Sequence, residues 1–152
     1  MAPGIELPTL ADDELFAYLA VHGSSSAWFR LKWITDFAAT IQGKPPEALE
    51  RLYRRSQQLG AGRAPAQALL LADLLFESLC EAPALKRSLE RDSRNRWLCR
   101  MAYRQLAGRP EPGEPTSRTL GTAAIHVSQF LLLPGPAFKL SEFVRQGRAA
   151  LA

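Results

Sequence analysis

Histidine and cysteine are scarce in this chain, two of each in 152 residues, and that scarcity removes several chemistries at once. Cys80 and Cys99 have no Cys or His around them at the spacing of a zinc site, so no structural metal is expected. Each stands among apolar neighbours in a stretch that reads as helix, where a free thiol behaves as a small buried hydrophobe. Reduced thiols of this kind fit a cytoplasmic location best. His22 and His126 are isolated, with no Ser, Cys or acid spaced to build a triad, and both read as interior or boundary histidines. Long apolar runs are missing too. No stretch approaches the ~20 uninterrupted apolar residues of a membrane span, and Met1 to Leu10 has no basic segment leading into an apolar one. The chain therefore reads as neither exported nor membrane-embedded.

What is present is enough apolar side chain for one core. Apolar residues make up 47% and charged residues 22% of the chain, and the formal charge is only +4, ordinary values for a single globular domain. The apolar spacing is helical nearly throughout. Residues 1–9 hold Pro3, Gly4 and Pro8 around Ile5 and Leu7 and read as a short extended lead-in. Thr9 as cap and Asp12, Asp13 and Glu14 in the first turn start a helix that runs to about His22, with Leu15, Phe16, Leu19 and His22 on its buried face. A second helix, about Ala27 to Ile41, puts Trp28, Leu31, Ile34, Phe37, Ala38 and Ile41 inward. A third follows Pro45-Pro46 to about Leu59, with Leu49, Leu52 and Tyr53 facing the core.

The stretch from about Pro65 to Cys80 is apolar nearly all round, interrupted only by Asp73, and reads as the central helix. A fifth, about Ala84 to Ala107, could break near Asp92-Ser93. Residues 1–108 thus form one helical region, and Pro110, Pro112, Gly113 and Pro115 mark a loop over 109–117. Helices over about 118–133 and 140–149 are expected to pack on the same domain, within 118–152. The expected fold is all-α, an irregular bundle of about six to seven helices behind the extended lead-in.

Two stretches could carry binding chemistry. Gly23-Ser24-Ser25-Ser26 reads as a helix-helix turn with Ser26 capping the next helix; the sharper alternative is a phosphate-binding turn at a helix N-terminus. Arg96, Arg100 and Arg104 fall at i, i+4 and i+8, so they could offer a basic patch to RNA, a nucleotide phosphate or an acidic partner. The plainer reading is a solvated face with Trp97 and Met101 turned to the core.

His22-Gly23, then Trp28, Arg30-Leu31-Lys32-Trp33 and Asp36, form a constellation that resembles the uncharacterised bacterial nucleotidyltransferase family. In that family a helix ending in His-Gly leads to Trp-x-Arg-Leu-Lys-Trp and an Asp one turn later. Leu52-Tyr53-Arg54-Arg55 and the run from Ala66 to Leu71 are similar to the helices that follow. The resemblance covers roughly residues 5–108. It implies an N-terminal α/β palm bearing a Gly-Ser motif and metal-binding acids, with the helical region after it; Ile5 to Leu10 looks like the palm's last edge, and the palm itself is expected to be missing here. Ser26 stands where relatives often have a second His.

Nucleotidyl transfer needs two or three carboxylates converging on magnesium. The aspartates here are Asp12, Asp13, Asp36, Asp73 and Asp92, with no Asp-x-Asp or Asp-x-Glu pair on a predicted strand. No catalytic residue and no metal ligand is therefore assigned to this chain, and magnesium and a nucleoside triphosphate are expected only with a palm supplied in cis or in trans. The substrate-binding candidates are His22, Arg30, Lys32 and Asp36. Arg30 or Lys32, beside His22, could face the palm's cleft and meet substrate phosphates; equally, Arg30 could pair with an acid on the first helix while the tryptophans pack the core. The function expected is that of a helical accessory region inactive on its own. The alternative is a freestanding helical binding module for nucleic acid or an acidic protein.

Overall fold

The computed structural model describes residues 10–108 and 131–132. The extended lead-in with Thr9, the loop over 109–117, His126 and most of the two C-terminal helices expected from the sequence lie outside those residues. Six helices make up the described part, with no strand among the described residues: α1 (Asp12–Ser25), α2 (Leu31–Ile41), α3 (Pro46–Gln58), α4 (Ala64–Phe76), α5 (Pro83–Arg91) and α6 (Ser93–Ala107). The fold is an all-α bundle, as the periodicity requires.

The centre is α4. Every residue from Ala64 to Asp73 is buried, which is why its sequence shows no polar face. Helices α1, α2, α3, α5 and α6 all pack against it. Phe16 and Ala20 of α1, Ile34, Phe37 and Ile41 of α2, Leu49 and Leu52 of α3, and Leu69 and Leu71 of α4 share one core. Leu132 is buried with Ala64 and Leu98, and its carbonyl accepts the Arg63 N–H at 2.6 Å.

Several boundaries differ from the sequence reading, each for a local reason. At the start of α1 the cap position is Ala11, whose N–H donates to the Glu14 carboxylate at 3.4 Å, half of a capping box. Helix α2 begins at Leu31 rather than Ala27, because Ala27 and Trp28 adopt left-handed backbone with φ of 52° and 53°. Such a conformation costs about 1–2 kcal/mol per non-glycine residue. Ser26 consequently ends α1 instead of capping α2, whose cap position is Arg30. Leu31 points to water, 54% exposed, at the first position of the true helix.

Helix α4 stops at Phe76, not Cys80. Glu77 turns left-handed (φ 56°), and the Asp73 carboxylate accepts the Leu79 N–H at 2.9 Å, closing the turn. Cys80 therefore sits in an exposed turn, against the expectation of a buried thiol, while Cys99 is buried as expected. The long fifth helix is two helices, broken at Asp92, whose carboxylate caps α6 by accepting the Arg94 N–H at 2.9 Å. Trp97 lies on the outer side of α6, 36% exposed, because Asn95, Leu98, Cys99 and Ala102 make the inner one.

Candidate functional site

The α1–α2 corner is built around Gly23 and Trp28. A Cβ on Gly23 would lie within 2.5 Å of three carbons of the Trp28 ring, so the glycine is required by close approach rather than by an unusual backbone angle. Trp28 is fully buried, and its N–H bonds the Gly23 carbonyl at 2.9 Å. Its indole Nε1–H donates to Gln67 Oε1 at 3.2 Å, and Gln67 Nε2 in turn donates to the Leu98 carbonyl at 2.9 Å. One buried glutamine thus ties the corner to α4 and α6. Burial of the large ring and these bonds hold the two left-handed residues in place.

That lock sets out a second layer of aromatic rings at the surface. His22 stacks on Tyr18 with centroids 5.7 Å apart, and meets Trp33 edge-on at 4.9 Å. Phe29 meets Trp33 at 4.8 Å, also edge-on. The Arg30 guanidinium carbon lies 5.3 Å from the Phe29 centroid and 5.8 Å from that of Trp33. Trp33 is thus the shared neighbour of His22 and Arg30. Lys32 and Asp36 stand beside it on α2, one residue before and three after, and pair with each other at 2.6 Å on an exposed surface. The structure brings His22 and Arg30 together; Lys32 and Asp36 are occupied by one another.

The Arg30 side chain has no hydrogen bond or ion pair among the described residues, so the expected partner acid on α1 is absent there. It is exposed, it occupies the cap position of α2, and no acid stands in that helix's first turn. The positive end of the α2 dipole and the guanidinium therefore coincide. Gly23, Ser24 and Ser25, by contrast, form the last turn of α1. A helix C-terminus carries the wrong sign for phosphate, which removes the Gly-Ser phosphate-turn reading. Tyr18 and Phe29 lie outside the motif, and Trp33 enters it without a binding role. Their signal was the i, i+4 spacing of Tyr18 with His22 and of Phe29 with Trp33.

The basic-patch residues are separate from this corner. Arg96, Arg100 and Arg104 are all exposed on α6, and the Arg96 guanidinium donates to the Glu90 carbonyl.

The aspartates do not offer a metal site. Each is engaged by a cation: Asp12 by Lys44, Asp13 by Arg55, Asp36 by Lys32, Asp73 by Lys86 and Asp92 by Arg63. The Arg55 bond holds the Asp13 carboxyl below its ordinary range, and the Arg94 N–H, with Arg63 adding to it, does the same for Asp92. The bond to Asp73 raises the Lys86 ammonium. No group of three or more His, Cys, Asp or Glu able to hold a metal ion occurs among the described residues. The magnesium that nucleotidyl transfer requires does not fit this set.

Compared with known families, residues 2–77 match the one described as uncharacterised nucleotidyltransferase, half of the 152-residue chain. The chain belongs to this nucleotidyltransferase family. The match takes in α1 to α4 and ends at the left-handed Glu77, short of the residue 108 expected from the sequence. The Gly23–Trp28 lock and the Trp33 corner both lie inside it. No curated protein and no solved structure matches the chain. Among the described residues no helix is long and apolar enough to cross a membrane.

Proposed function

We propose that this chain is the substrate-side helical region of a nucleotidyltransferase-family protein, working with a palm that supplies the magnesium-binding carboxylates in cis or in trans. Family membership supports the reaction class, and Arg30 is the observation that carries the role. It is an exposed guanidinium, oriented by Phe29 and Trp33, placed at the positive end of α2 and left without an acid among the described residues. A guanidinium so arranged is suited to a triphosphate oxygen, to which it donates two parallel hydrogen bonds. His22 stands across the Trp33 ring, where an imidazole N–H can add a donor. Lys32 and Asp36 neutralise each other and leave Arg30 as the dominant local charge.

This role is binding and orientation, not bond making. Calorimetric titration of the chain with ATP tests it. A charge-assisted hydrogen bond contributes about 1.5–3 kcal/mol, so Arg30→Ala is expected to weaken ATP binding roughly 10- to 100-fold. The melting temperature should fall by no more than the loss of an exposed cation–π contact, about 0.5–1 kcal/mol, allows. ATP affinity unaltered by the substitution, with lowered stability, would make Arg30 a packing residue and overturn the assignment.

A further inference from the structure

The chain's positive charge is concentrated where the family match does not reach. From Pro83 to Ala107, seven Lys and Arg residues stand against two acids, a net +5 that exceeds the +4 of the entire chain. Of the two acids, Asp92 is already paired with Arg63 of the link before α4.

The arrangement on α6 is more specific than its charge. With Asn95, Leu98, Cys99 and Ala102 inward, a step of about 100° per residue puts Trp97, Arg100 and Arg104 along the middle of the solvent side, with Arg96 and Tyr103 at its edge. Trp97 is 36% and Tyr103 42% exposed. Neither the Arg100 nor the Arg104 guanidinium has a hydrogen-bond or ion-pair partner among the described residues. An acidic protein surface would be met by the cations alone and gives no reason for two large rings among them. Rings alternating with guanidinium groups suit a ligand with flat faces and regularly spaced negative charges.

We propose that the solvent face of α6 binds single-stranded nucleic acid, Trp97 and Tyr103 stacking on bases while Arg100 and Arg104 hold the neighbouring phosphates. A duplex hides its base faces, so only its phosphates are available to this surface. The proposal uses none of the residues at the Trp33 corner and stands whether or not that corner binds nucleotide.

Fluorescence anisotropy with labelled oligo(U) and oligo(dT) of about twelve nucleotides, within the usual range of site sizes, tests it. Saturable binding is expected at low salt, weakening with a log–log slope of about 0.7 per phosphate held. Trp97→Ala, and separately the exposed pair Arg100→Ala with Arg104→Ala, should each weaken it roughly tenfold or more, Trp97→Phe should retain it, and a duplex should bind more weakly. Comparing the two oligomers tells RNA from DNA. If Trp97→Ala fails to fold by circular dichroism, the arginine pair decides. Absence of saturable binding at low salt, insensitivity to both variants, or equal displacement by polyglutamate would overturn the proposal, the last by giving the face to an acidic protein.

Discussion

Adding one methyl group at Gly23 should cost more stability than removing most side chains would. In Gly23→Ala the new Cβ falls within 2.5 Å of three carbons of a Trp28 ring that is fully buried. The ring cannot swing aside without giving up its burial and its bond to Gln67. Overpacking costs about 1–3 kcal/mol where neighbours can adjust; expelling the ring outright would cost about 3–5 kcal/mol, as for Trp→Ala. Against this, alanine is the better helix former by about 1 kcal/mol. The net is a loss of about 2–4 kcal/mol, or roughly 10–20 °C in melting temperature for a domain of this size.

The background decides whether the reasoning is right. In Trp28→Leu, itself destabilised, the obstructing ring is gone, so Gly23→Ala should become neutral or stabilising. Urea unfolding of the four proteins in this cycle measures the coupling. Equal losses from Gly23→Ala in both backgrounds would refute the Gly23–Trp28 contact as the cause.

Gln67→Leu should cost about 2–4 kcal/mol, since it strands the buried Trp28 indole N–H, at about 1–3 kcal/mol, and removes a second hydrogen bond to the Leu98 carbonyl, which lies within α6, at about 0.5–1.5 kcal/mol; a change under about 0.5 kcal/mol in urea unfolding would show the bridge to be dispensable. Native thiol labelling should modify exposed Cys80 quickly and Cys99 only on unfolding, because burial pushes the Cys99 thiol up to about 11; simultaneous labelling by mass spectrometry would contradict this. Asp92 has a lowered folded pKa, so its contribution is fully present above the unfolded value near ~3.9 and is lost as pH falls through the folded one. Lys86 runs the other way: its folded value is raised, and its contribution is lost as pH climbs through that value, above ~10.4. Asp92→Asn should flatten the acid limb of a stability–pH curve and leave the alkaline limb alone; an unaltered acid limb would rule the Asp92 contacts out as its source.

Helix existence was legible because each helix pays its entropy by burying an apolar stripe, and those stripes are periodic in the sequence. The misplaced ends share one cause, tertiary packing overriding local preference. Nothing local marks Ala27 and Trp28 as left-handed; the conformation exists because Trp28 fills the space over Gly23 and bonds Gln67, 39 residues on. The apolar run through Leu74, Leu75 and Phe76 hides the end of α4, since Leu74 and Phe76 are exposed at 55% and 44%. At the candidate site the motif supplied His22, Arg30, Lys32 and Asp36 but not their arrangement. That Trp33 joins His22 to Arg30, and that Arg30 has no partner acid among the described residues, depends on how α1 meets α2. The spacing of Trp97 from Met101 mimics a buried stripe, but the actual inner face is one residue out of phase, set by Leu98 and Cys99.

The three tryptophans give the most direct test of the Trp33 corner. They sit in three different places, Trp28 in the core, Trp33 beside Arg30 and Trp97 on the outside of α6. Indole N–H resonances of the labelled protein, assigned by Trp→Phe substitution, can be followed as ATP is added. The Trp33 resonance is expected to move in a saturable way, and to stop moving in Arg30→Ala, while those of Trp28 and Trp97 stay in place. A silent Trp33 at saturating ATP, or movement confined to Trp97, would contradict a phosphate-binding corner at the start of α2.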